Sequence, residues 1–458
     1  MKTYKKTAGF LMLVLIMNIF SACSNNVEKD TVSMNKDTYE QKSVSADFLL
    51  ADIRMADEEL KKTQISETEV SVNETTEIKT ISEDTIVEEE TVSEDSVSED
   101  IVCEEEEEPE EEPLPPVTNM IIDTDMGSDA DDAAAVRVAT QMAKQGRVNL
   151  LAVMSSATTK DYPMCCHALL CYDGFPDVPI GYTTHECELD AVYTYGLSIP
   201  YFDEASYRLS ESTELYKALL RDLKSRGETC TIVVLGFLVN IDTLIHDPEG
   251  YELVRDVVDC IWFDGGVYPG RGTDFNFCWK GNVTGAAMYV TDNCPCPVIY
   301  VTNATGTTEE YDVIKCGRSF PELDPYNVDP VHIAYNAMEN DTTVEDMFPE
   351  FAGDPDLKKD LSKGHFAYDA ITVFGGALTT SEDTAMLKAA SLPKGQSQIP
   401  LMESQLLLQP IEAHIYENGC NEFFPVAVQS NRYMVFRQIY ELDWYEDQMD
   451  YWINMGIR

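Results

Sequence analysis

Five aspartates lie within ten consecutive residues of this chain, directly after an apolar run. They are Asp123, Asp125, Asp129, Asp131 and Asp132. Like charges at this spacing repel one another unless a cation or strong hydrogen-bond donors offset them. Carboxylate and carbonyl oxygens are the ligands that hard divalent cations such as Ca²⁺ prefer. The segment is therefore predicted to bind a metal ion.

The aspartates stand at a predicted corner between a strand and a helix. Residues 120–122 predict a buried strand, and residues 133–144 predict a helix. In open α/β sheets, ligands bind at such corners, outside the carboxyl ends of the strands. A helix dipole would by itself favour the last two aspartates, but it does not explain the first two. An EF-hand loop would need a Glu at its twelfth position, which is absent.

Residues 117–458 alternate apolar runs with helical patterns, which predicts one large α/β domain. The predicted strands are residues 119–123, 149–155, 178–181, 231–235, 260–263 and 298–301. The predicted helices are residues 133–145, 215–226, 282–291, 330–339 and 368–378. Strands that are apolar throughout are typical of parallel sheets covered on both faces. We predict an open, mostly parallel sheet with helices on both faces and a Rossmann-like core, and antiparallel strands or long loops in residues 411–436.

Three further polar segments are placed to share a pocket with the aspartates. Residues 236–240 follow one predicted strand, and residues 273–276 come after another strand and the pair Gly265-Gly266. Tyr368 and Asp369 enter a predicted helix. Loops that converge at the carboxyl edge of a parallel sheet commonly form ligand pockets.

The front of the chain has a different composition. Residues 1–23 have a basic start, an apolar run and the ending Ser21-Ala22-Cys23, which together predict a signal peptide. That ending resembles a bacterial lipoprotein signal, in which Cys23 is lipid-modified; an ordinary secretory signal is the alternative. Residues 24–116 are acidic and nearly free of aromatic residues, so we predict a disordered linker. We expect an exported protein that is anchored to the membrane at the bacterial cell surface.

The formal net charge is −50, from 82 acidic and 32 basic residues. This charge argues against nucleic acid as a partner, because binding to phosphates requires positive charge. Thirteen cysteines are scattered along the chain without a zinc-ribbon spacing. Cys294-Pro295-Cys296 is a close pair, but it lacks the two-residue gap of a redox or zinc motif.

Taken in series, the motifs resemble those of the inosine–uridine-type nucleoside hydrolase family. Asp123-Thr124-Asp125-x-Gly127 followed by Asp131-Asp132-Ala133 is similar to its opening signature, with two extra residues before the paired aspartates. Residues 236–240 match its Gly-Pro-Leu-Thr-Asn loop, residues 274–276 its Glu-Phe-Asn segment, and Asp369 its late metal-binding aspartate. The resemblance implies hydrolysis of the N-glycosidic bond of ribonucleosides, with one Ca²⁺ as cofactor and a small-molecule substrate.

The resemblance also implies roles for individual residues. The metal ligands would be the carboxylates of Asp125, Asp132 and Asp369 and the backbone carbonyl of Val239. For substrate binding, the implied residues are Asp131, Asn276, Asp274 and Thr159. Thr159 belongs to the segment that stands where the family commonly has a sugar-binding Asn, and Asp274 replaces a Glu.

The catalytic residues implied are a base and a leaving-group acid. Asp125 would accept the proton of the attacking water. Some family members place a His directly before the late metal-binding aspartate, where this chain has Tyr368, with His365 three residues earlier. Tyr368 and His365 are therefore both candidates for the acid. An unperturbed tyrosine has a pKa of about 10 and stays protonated at neutral pH.

Two functions remain open from the sequence. The first is a nucleoside hydrolase that cleaves ribonucleosides to ribose and free base. The second is a hydrolase-like protein, weak or inactive in catalysis, that binds ribose or another carbohydrate. The metal-binding aspartates suit both functions. The missing His and Asn favour the second function, whereas the retained Asp125 and Asn276 favour the first. A homo-oligomer is compatible with either function.

Overall fold

The computed structural model describes residues 117–127, 130–159, 161–187, 189, 201–280, 282–302, 313–339, 364–436 and 442–458. The predicted signal peptide (1–23) and acidic linker (24–116) lie outside these residues. All the described residues belong to one unit. Among the helices they form, none is both long enough and apolar enough to cross a membrane.

Most of the described strands join one large sheet. In chain order the strands are β1 (Thr118–Thr124), β2 (Val148–Ser155), β3 (Ile180–Tyr182), β4 (Leu209–Glu211), β5 (Cys230–Val234), β6 (Val258–Asp264), β7 (Arg271–Thr273), β8 (Val298–Val301), β9 (Lys315–Cys316), β10 (His365–Phe366), β11 (Ile399–Pro400), β12 (Leu407–Ile415), β13 (Cys420–Pro425) and β14 (Arg432–Phe436). The sheet runs β4-β3-β2-β1-β5-β6-β8-β14-β12-β13-β7, with β11 beside β12, while β9 and β10 pair separately.

The described helices connect and cover these strands. In chain order they are α1 (Asp131–Lys144), α2 (Asp161–Asp173), α3 (Ser212–Arg226), α4 (Val239–His246), α5 (Pro248–Val257), α6 (Phe275–Cys278), α7 (Val283–Asn293), α8 (Phe320–Leu323), α9 (Pro330–Glu339), α10 (Tyr368–Ala377), α11 (Ser381–Leu387) and α12 (Leu442–Asn454).

The strand order reverses between β1 and β5. From β1 the chain builds outward through β2, β3 and β4, and it then returns to add β5 on the other side of β1. All the pairings from β4 to β14 along this path are parallel. A reversal of this kind leaves a crevice at the carboxyl ends of the two central strands, which is where doubly wound sheets bind ligands.

Alternate residues of the central strands face two different helical layers. Ile121, Ile232 and Ile261 belong to a buried cluster that includes Leu220 of α3 and Val290 of α7. On the opposite face, α10 packs on β1, β5 and β6 and also contacts α1. Because both faces are covered, the strands are apolar throughout, as the sequence indicated. The predicted fold class is confirmed.

The ends of the predicted elements agree closely with the structure, and the tail resolves into strands. Residues 298–301 and 330–339 were predicted with the bounds that β8 and α9 have. In the tail, β12 and β13 form an antiparallel pair, whereas β14 joins β8 in parallel. The helix α2 and the pair α4 and α5 were not predicted; α2 is buried on most of its surface, so it shows no helical alternation of apolar and polar residues.

Helix α1 is held by a buried cation. Arg137 donates to Asp173 at the end of α2 (Nε–Oδ2 2.9 Å) and to Asp329 just before α9 (Nη2–Oδ2 3.0 Å). All three side chains are almost completely buried. The two carboxylates therefore offset the free-energy cost of burying the guanidinium charge. They also fix α1 between α2 and α9. This fixation matters because α1 begins with the paired aspartates.

Helix α10 lies unusually close to the sheet because glycines face it. A Cβ on Gly375 would lie 2.3 Å from Cζ3 of Trp262, and one on Gly376 would lie 2.7 Å from Cγ2 of Val233. Real Cβ atoms do not approach other atoms this closely, so neither site accepts a larger residue without movement of the helix. The two glycines thus set the distance between α10 and the sheet. Asp369 lies in the first turn of this helix.

We predict that Gly375→Ala destabilises the protein by about 1–3 kcal/mol, because the added methyl group overpacks the contact with Trp262. At a solvent-exposed position of a helix, a change from Gly to Ala would instead stabilise the protein by up to ~1 kcal/mol. Urea unfolding followed by circular dichroism measures the difference. Gly376→Ala is the matched variant and should cost less, since its contact is longer. A stabilised Gly375→Ala protein would contradict the close packing of α10.

Candidate functional site

The carboxyl end of β1 is anchored by Asp123. Its Oδ2 accepts a hydrogen bond from the hydroxyl of Tyr216 (2.9 Å), and its Oδ1 accepts one from Nδ2 of Asn240 (3.1 Å). Burial raises the pKa of Asp123 to about 7, although both hydrogen bonds lower it. Asp123 therefore ties β1 to α3 and α4.

Thr124 links the end of β1 to the start of α1. Its hydroxyl donates a hydrogen bond to Oδ1 of Asp132, and the Oγ1 of Thr124 also accepts a hydrogen bond from the backbone N–H of Met126 (3.0 Å). The turn at Met126 and Gly127 is thereby tied to the start of α1, and Asp132 lies at the end of the strand.

Three carboxylates converge beside this turn. Asp131 and Asp132 begin α1, and Asp369 lies in the first turn of α10. One carboxylate oxygen from each lies within 4.8 Å of the other two. The residues are buried, with relative exposures of 5%, 0% and 4%. The backbone N–H of Asp369 donates to Oδ2 of Asp131 at 3.3 Å, which joins the two helix starts.

The carboxylate cluster fits a hard divalent cation. Ca²⁺ binds oxygens at 2.3–2.6 Å, so two ligand atoms around one ion lie at most about 5 Å apart. The 4.8 Å spread of the three oxygens falls within that limit. The positive ends of two helix dipoles offset part of the negative charge, but a dipole supplies only about half an elementary charge. Asp131, Asp132 and Asp369 can therefore hold a metal ion.

Asp125 lies in the crevice between β1 and β5. A Cβ on Gly236, just after β5, would lie 2.4 Å from Oδ1 of Asp125, so this carboxylate rests directly against the glycine backbone. Its charge also helps to raise the pKa of Cys187 to about 12, after the larger effect of burial. Asp125 is not among the three carboxylates of the cluster. Its roles as metal ligand and base stay predictions.

The loop after β5 turns into α4 at Val239. The backbone carbonyl of Val239 accepts a hydrogen bond from the hydroxyl of Thr243 (2.8 Å), one turn further along the helix. The next residue, Asn240, uses Nδ2 to bind both Asp123 and the carbonyl of Ser155 (3.1 Å). The loop therefore joins the ends of β1, β2 and β5, and the Val239 carbonyl as a metal ligand stays a prediction.

Asn276 and Asp274 close the neighbouring side of the crevice, after β6. The Nδ2 of Asn276 donates to the carbonyls of Leu235 (3.1 Å) and Asp264 (2.9 Å), which uses both of its amide hydrogens. Asp274 caps α6 by accepting from the N–H of Asn276 (2.9 Å). Its carboxyl group is desolvated, which raises its pKa to about 6. Asn276 can thus offer only its oxygen to a ligand.

Tyr162 lies at this site, against the glycine of the opening motif. It is fully buried at the start of α2, and a Cβ on Gly127 would lie 2.3 Å from its ring. Burial raises its pKa, and the carboxylates of Asp125 and Asp132 add to that effect. Its hydroxyl is hydrogen-bonded to Thr159, whose own hydroxyl reaches the carbonyl of Leu189 (3.4 Å). Gly127 of the opening motif makes room for this ring, because it has no side chain.

The two candidates for the acid lie in different settings. Tyr368 is the first residue of α10 and stacks on Phe366 with ring centroids 5.4 Å apart. His365 lies on β10, where Nδ1 accepts from the N–H of Phe366 (3.0 Å) and Nε2 faces Oε1 of Glu339 (2.8 Å). The neutral ring therefore carries its proton on Nε2, directed at Glu339. Tyr368 directly precedes the cluster residue Asp369 in the chain. The Nε2 of His365, by contrast, already contacts Glu339.

Comparisons with known proteins give structural neighbours only. No model of a known protein family and no curated protein matches the sequence. Among solved structures, the type III effector XopQ in complex with adenosine diphosphate ribose is 14% identical, with a TM-score of 0.47 over 75% of this chain and 95% of that chain. The inosine-uridine preferring nucleoside hydrolase of Bacillus anthracis is 11% identical, with a TM-score of 0.48 over 74% of this chain and 100% of that chain.

A purine-preferring ribonucleoside hydrolase from Gardnerella vaginalis is also similar. It is 12% identical, with a TM-score of 0.47 over 74% of this chain and 99% of that chain. The neighbours thus include nucleoside hydrolases. At such low identity and superposition, the function of this chain has to be inferred from its own residues.

We predict that Asp132→Asn weakens Ca²⁺ binding at least about tenfold, because a neutral amide replaces a buried carboxylate. Isothermal titration calorimetry of the chelator-treated, dialysed protein measures the affinity. Asp222→Asn is the charge-matched control, since it removes a surface carboxylate of α3 that pairs with Arg226. Equal affinities in both variants, or no Ca²⁺ binding by the parent, would contradict the metal site.

Proposed function

We propose that this protein is a Ca²⁺-dependent hydrolase of the N-glycosidic bond of ribonucleosides, which releases ribose and free base. The observation that carries the proposal is the buried cluster of Asp131, Asp132 and Asp369 at the reversal of the sheet, beside Asp125. All four residues belong to the motifs that resemble those of nucleoside hydrolases. A buried acidic site of this kind suits a substrate whose reacting centre becomes positively charged.

The metal would be held by Asp132 and Asp369, with Asp125 and the Val239 carbonyl as the further ligands that the motif resemblance implies. Asp131 lies close enough to its neighbours to share in the site, in addition to its implied contact with the sugar. When bound, Ca²⁺ would supply positive charge that orients the ribose diol and acidifies a water molecule.

The sugar would be oriented by acceptor groups on both sides of the crevice. Asn276 presents its side-chain oxygen, because its two amide hydrogens are bound to backbone carbonyls. Asp131 contributes a carboxylate that the N–H of Asp369 already holds in place. Ribose hydroxyls are donors, so two fixed acceptors select for them and hold the anomeric carbon in one position.

Asp125 would act as the general base. Its carboxylate is fixed against Gly236 in the crevice, where the lack of a side chain on the glycine lets it approach β5. A carboxylate placed this way can take the proton of a water molecule that attacks the anomeric carbon. Such assistance typically accelerates a reaction by about 10²–10⁴-fold.

The departing base needs a proton or a hydrogen bond, since a nucleobase anion leaves poorly. Tyr368 is the group that we propose for this role, because it begins the helix that carries Asp369 and stacks on the partly exposed ring of Phe366. His365 is the second candidate, and to act it would have to exchange its contact with Glu339 for the substrate.

We predict that Asp125→Ala lowers kcat on natural nucleosides at least about 10²-fold, because the water loses its base.

Tyr368→Phe should lower the rate on natural nucleosides by about tenfold or more, yet change the rate on p-nitrophenyl riboside much less, since that leaving group needs little protonation. Release of ribose and of p-nitrophenol measures the two reactions.

The controls separate catalysis from packing and from binding alone. Tyr326→Phe, at a tyrosine that is 58% exposed, should leave both rates unchanged. An equal fall on both substrates for Tyr368→Phe would make that residue a packing partner of Phe366. If the parent protein cleaves neither substrate but binds ribose only in the presence of Ca²⁺, the alternative function as a carbohydrate-binding protein replaces the hydrolase.

We also propose that the protein is exported and anchored at the bacterial cell surface through a lipid on Cys23. The support is the three-part signal pattern that ends in Ser21-Ala22-Cys23. We predict that Cys23→Ser moves the protein from the membrane fraction to the soluble fraction of the producing cells, because a lipid chain contributes about 0.8 kcal/mol per buried methylene to membrane binding. Equal membrane retention of both proteins would refute the anchor.

A further inference from the structure

Two buried thiols face each other at the opposite end of the sheet from the carboxylate cluster. Cys294 and Cys296 form the short connection between α7 and the start of β8. Their Sγ atoms are 3.6 Å apart, and the residues are only 4% and 2% exposed. A disulfide needs a sulfur–sulfur distance of about 2.05 Å, so the two atoms would have to approach by roughly 1.5 Å. Nothing in the proposed hydrolysis uses this pair.

The backbone around the pair is fixed by one arginine. Arg432, the first residue of β14, donates from Nη2 to the carbonyl of Cys294 (3.2 Å) and from Nη1 to that of Cys296 (3.4 Å). Its Nε donates to Thr291 in the last turn of α7 (2.7 Å). Pro295 further restricts Cys294 to an extended conformation, in which it is observed. These hydrogen bonds fix the backbone on both sides of the two sulfurs. They involve only backbone carbonyls, so a disulfide between the sulfurs could form without breaking them.

The two thiols differ in acidity. The hydrogen bond between the two sulfurs lowers the pKa of Cys294, and the positive charge of Arg432 lowers it further, while burial acts in the opposite direction. The pKa of Cys296 is raised well above its usual range by burial and by the neighbouring sulfur. A thiolate is the attacking form in disulfide exchange, so we assign Cys294 as the nucleophile of the pair and Cys296 as the resolving thiol.

We propose that Cys294 and Cys296 are a reversible dithiol–disulfide site that is oxidised by exchange with a disulfide donor. The Cys294 thiolate attacks one sulfur of the donor, forms a mixed disulfide and releases the first donor thiol. Cys296 then loses its proton and attacks Sγ of Cys294, which closes the internal disulfide and releases the second donor thiol. The protein loses two electrons and two protons, and the donor disulfide gains them as two thiols. This chemistry is independent of the reaction at the carboxylate cluster.

The test uses the full chain in buffers with different ratios of oxidised to reduced glutathione, followed by acid quenching, alkylation in denaturant and peptide mass mapping. We expect an internal disulfide in the peptide that contains both residues, and its loss in Cys294→Ser and in Cys296→Ser. Cys260→Ser is the matched control, because it removes a buried thiol from the adjacent strand β6, and it should keep the bond.

The two single variants also separate the roles of the thiols. Cys296→Ser retains a hydrogen-bond donor beside Cys294, so it should accumulate a glutathione adduct on Cys294. Cys294→Ser should form its adduct on Cys296 more slowly, because burial disfavours the thiolate of Cys296. Circular dichroism confirms that each variant folds. The proposal is overturned if both thiols are alkylated under every ratio, if either pairs with another cysteine, or if the two adducts form at the same rate.

Discussion

The crowding of buried negative charge is the constraint on which the site depends. Asp131, Asp132 and Asp369 bring three carboxylate oxygens within 4.8 Å of one another, away from water. At that separation two unit charges repel by about 3 kcal/mol, even with an effective dielectric constant of 20. The two helix starts and the Thr124 hydroxyl offset part of this repulsion. A divalent cation would offset most of the rest, so metal binding and folding should be coupled here.

Close packing brings the charges together in spite of that repulsion. Helix α10 reaches the sheet only because Gly375 and Gly376 present no side chain to Trp262 and Val233, and Asp125 reaches β5 only because residue 236 is a glycine. Helix α1 is held in turn by the buried cation Arg137. These apolar and ionic contacts fix the positions of the two helices. The helices in turn place the acidic side chains in the crevice.

The two ends of the parallel sheet differ in chemistry. Oxygen ligands gather at the carboxyl ends of β1 and β5, where the strand order reverses. At the amino end of β8, by contrast, two sulfurs and a guanidinium lie in the apolar core. A crevice that could hold a hard cation and a buried thiol pair require different solvation, and the length of the strands separates the two sites.

The sequence alone determined six of the parallel strands, five of the helices and the identity of the acidic residues. Apolar runs and helical periodicity are local properties, so residues 298–301 and 330–339 were predicted with their observed bounds. The tertiary structure decided the partnerships. No separate role for Asp123 followed from the sequence, but its hydrogen bonds to Tyr216 and Asn240 tie β1 to its neighbours, and Asp131, which was predicted to bind the sugar, joins Asp132 and Asp369. Likewise, the spacing of residues along the sequence could not predict that Arg432 contacts Cys294 or that Glu339 contacts His365. Those contacts follow from the order of strands and the packing of helices, which bring together residues far apart in the chain.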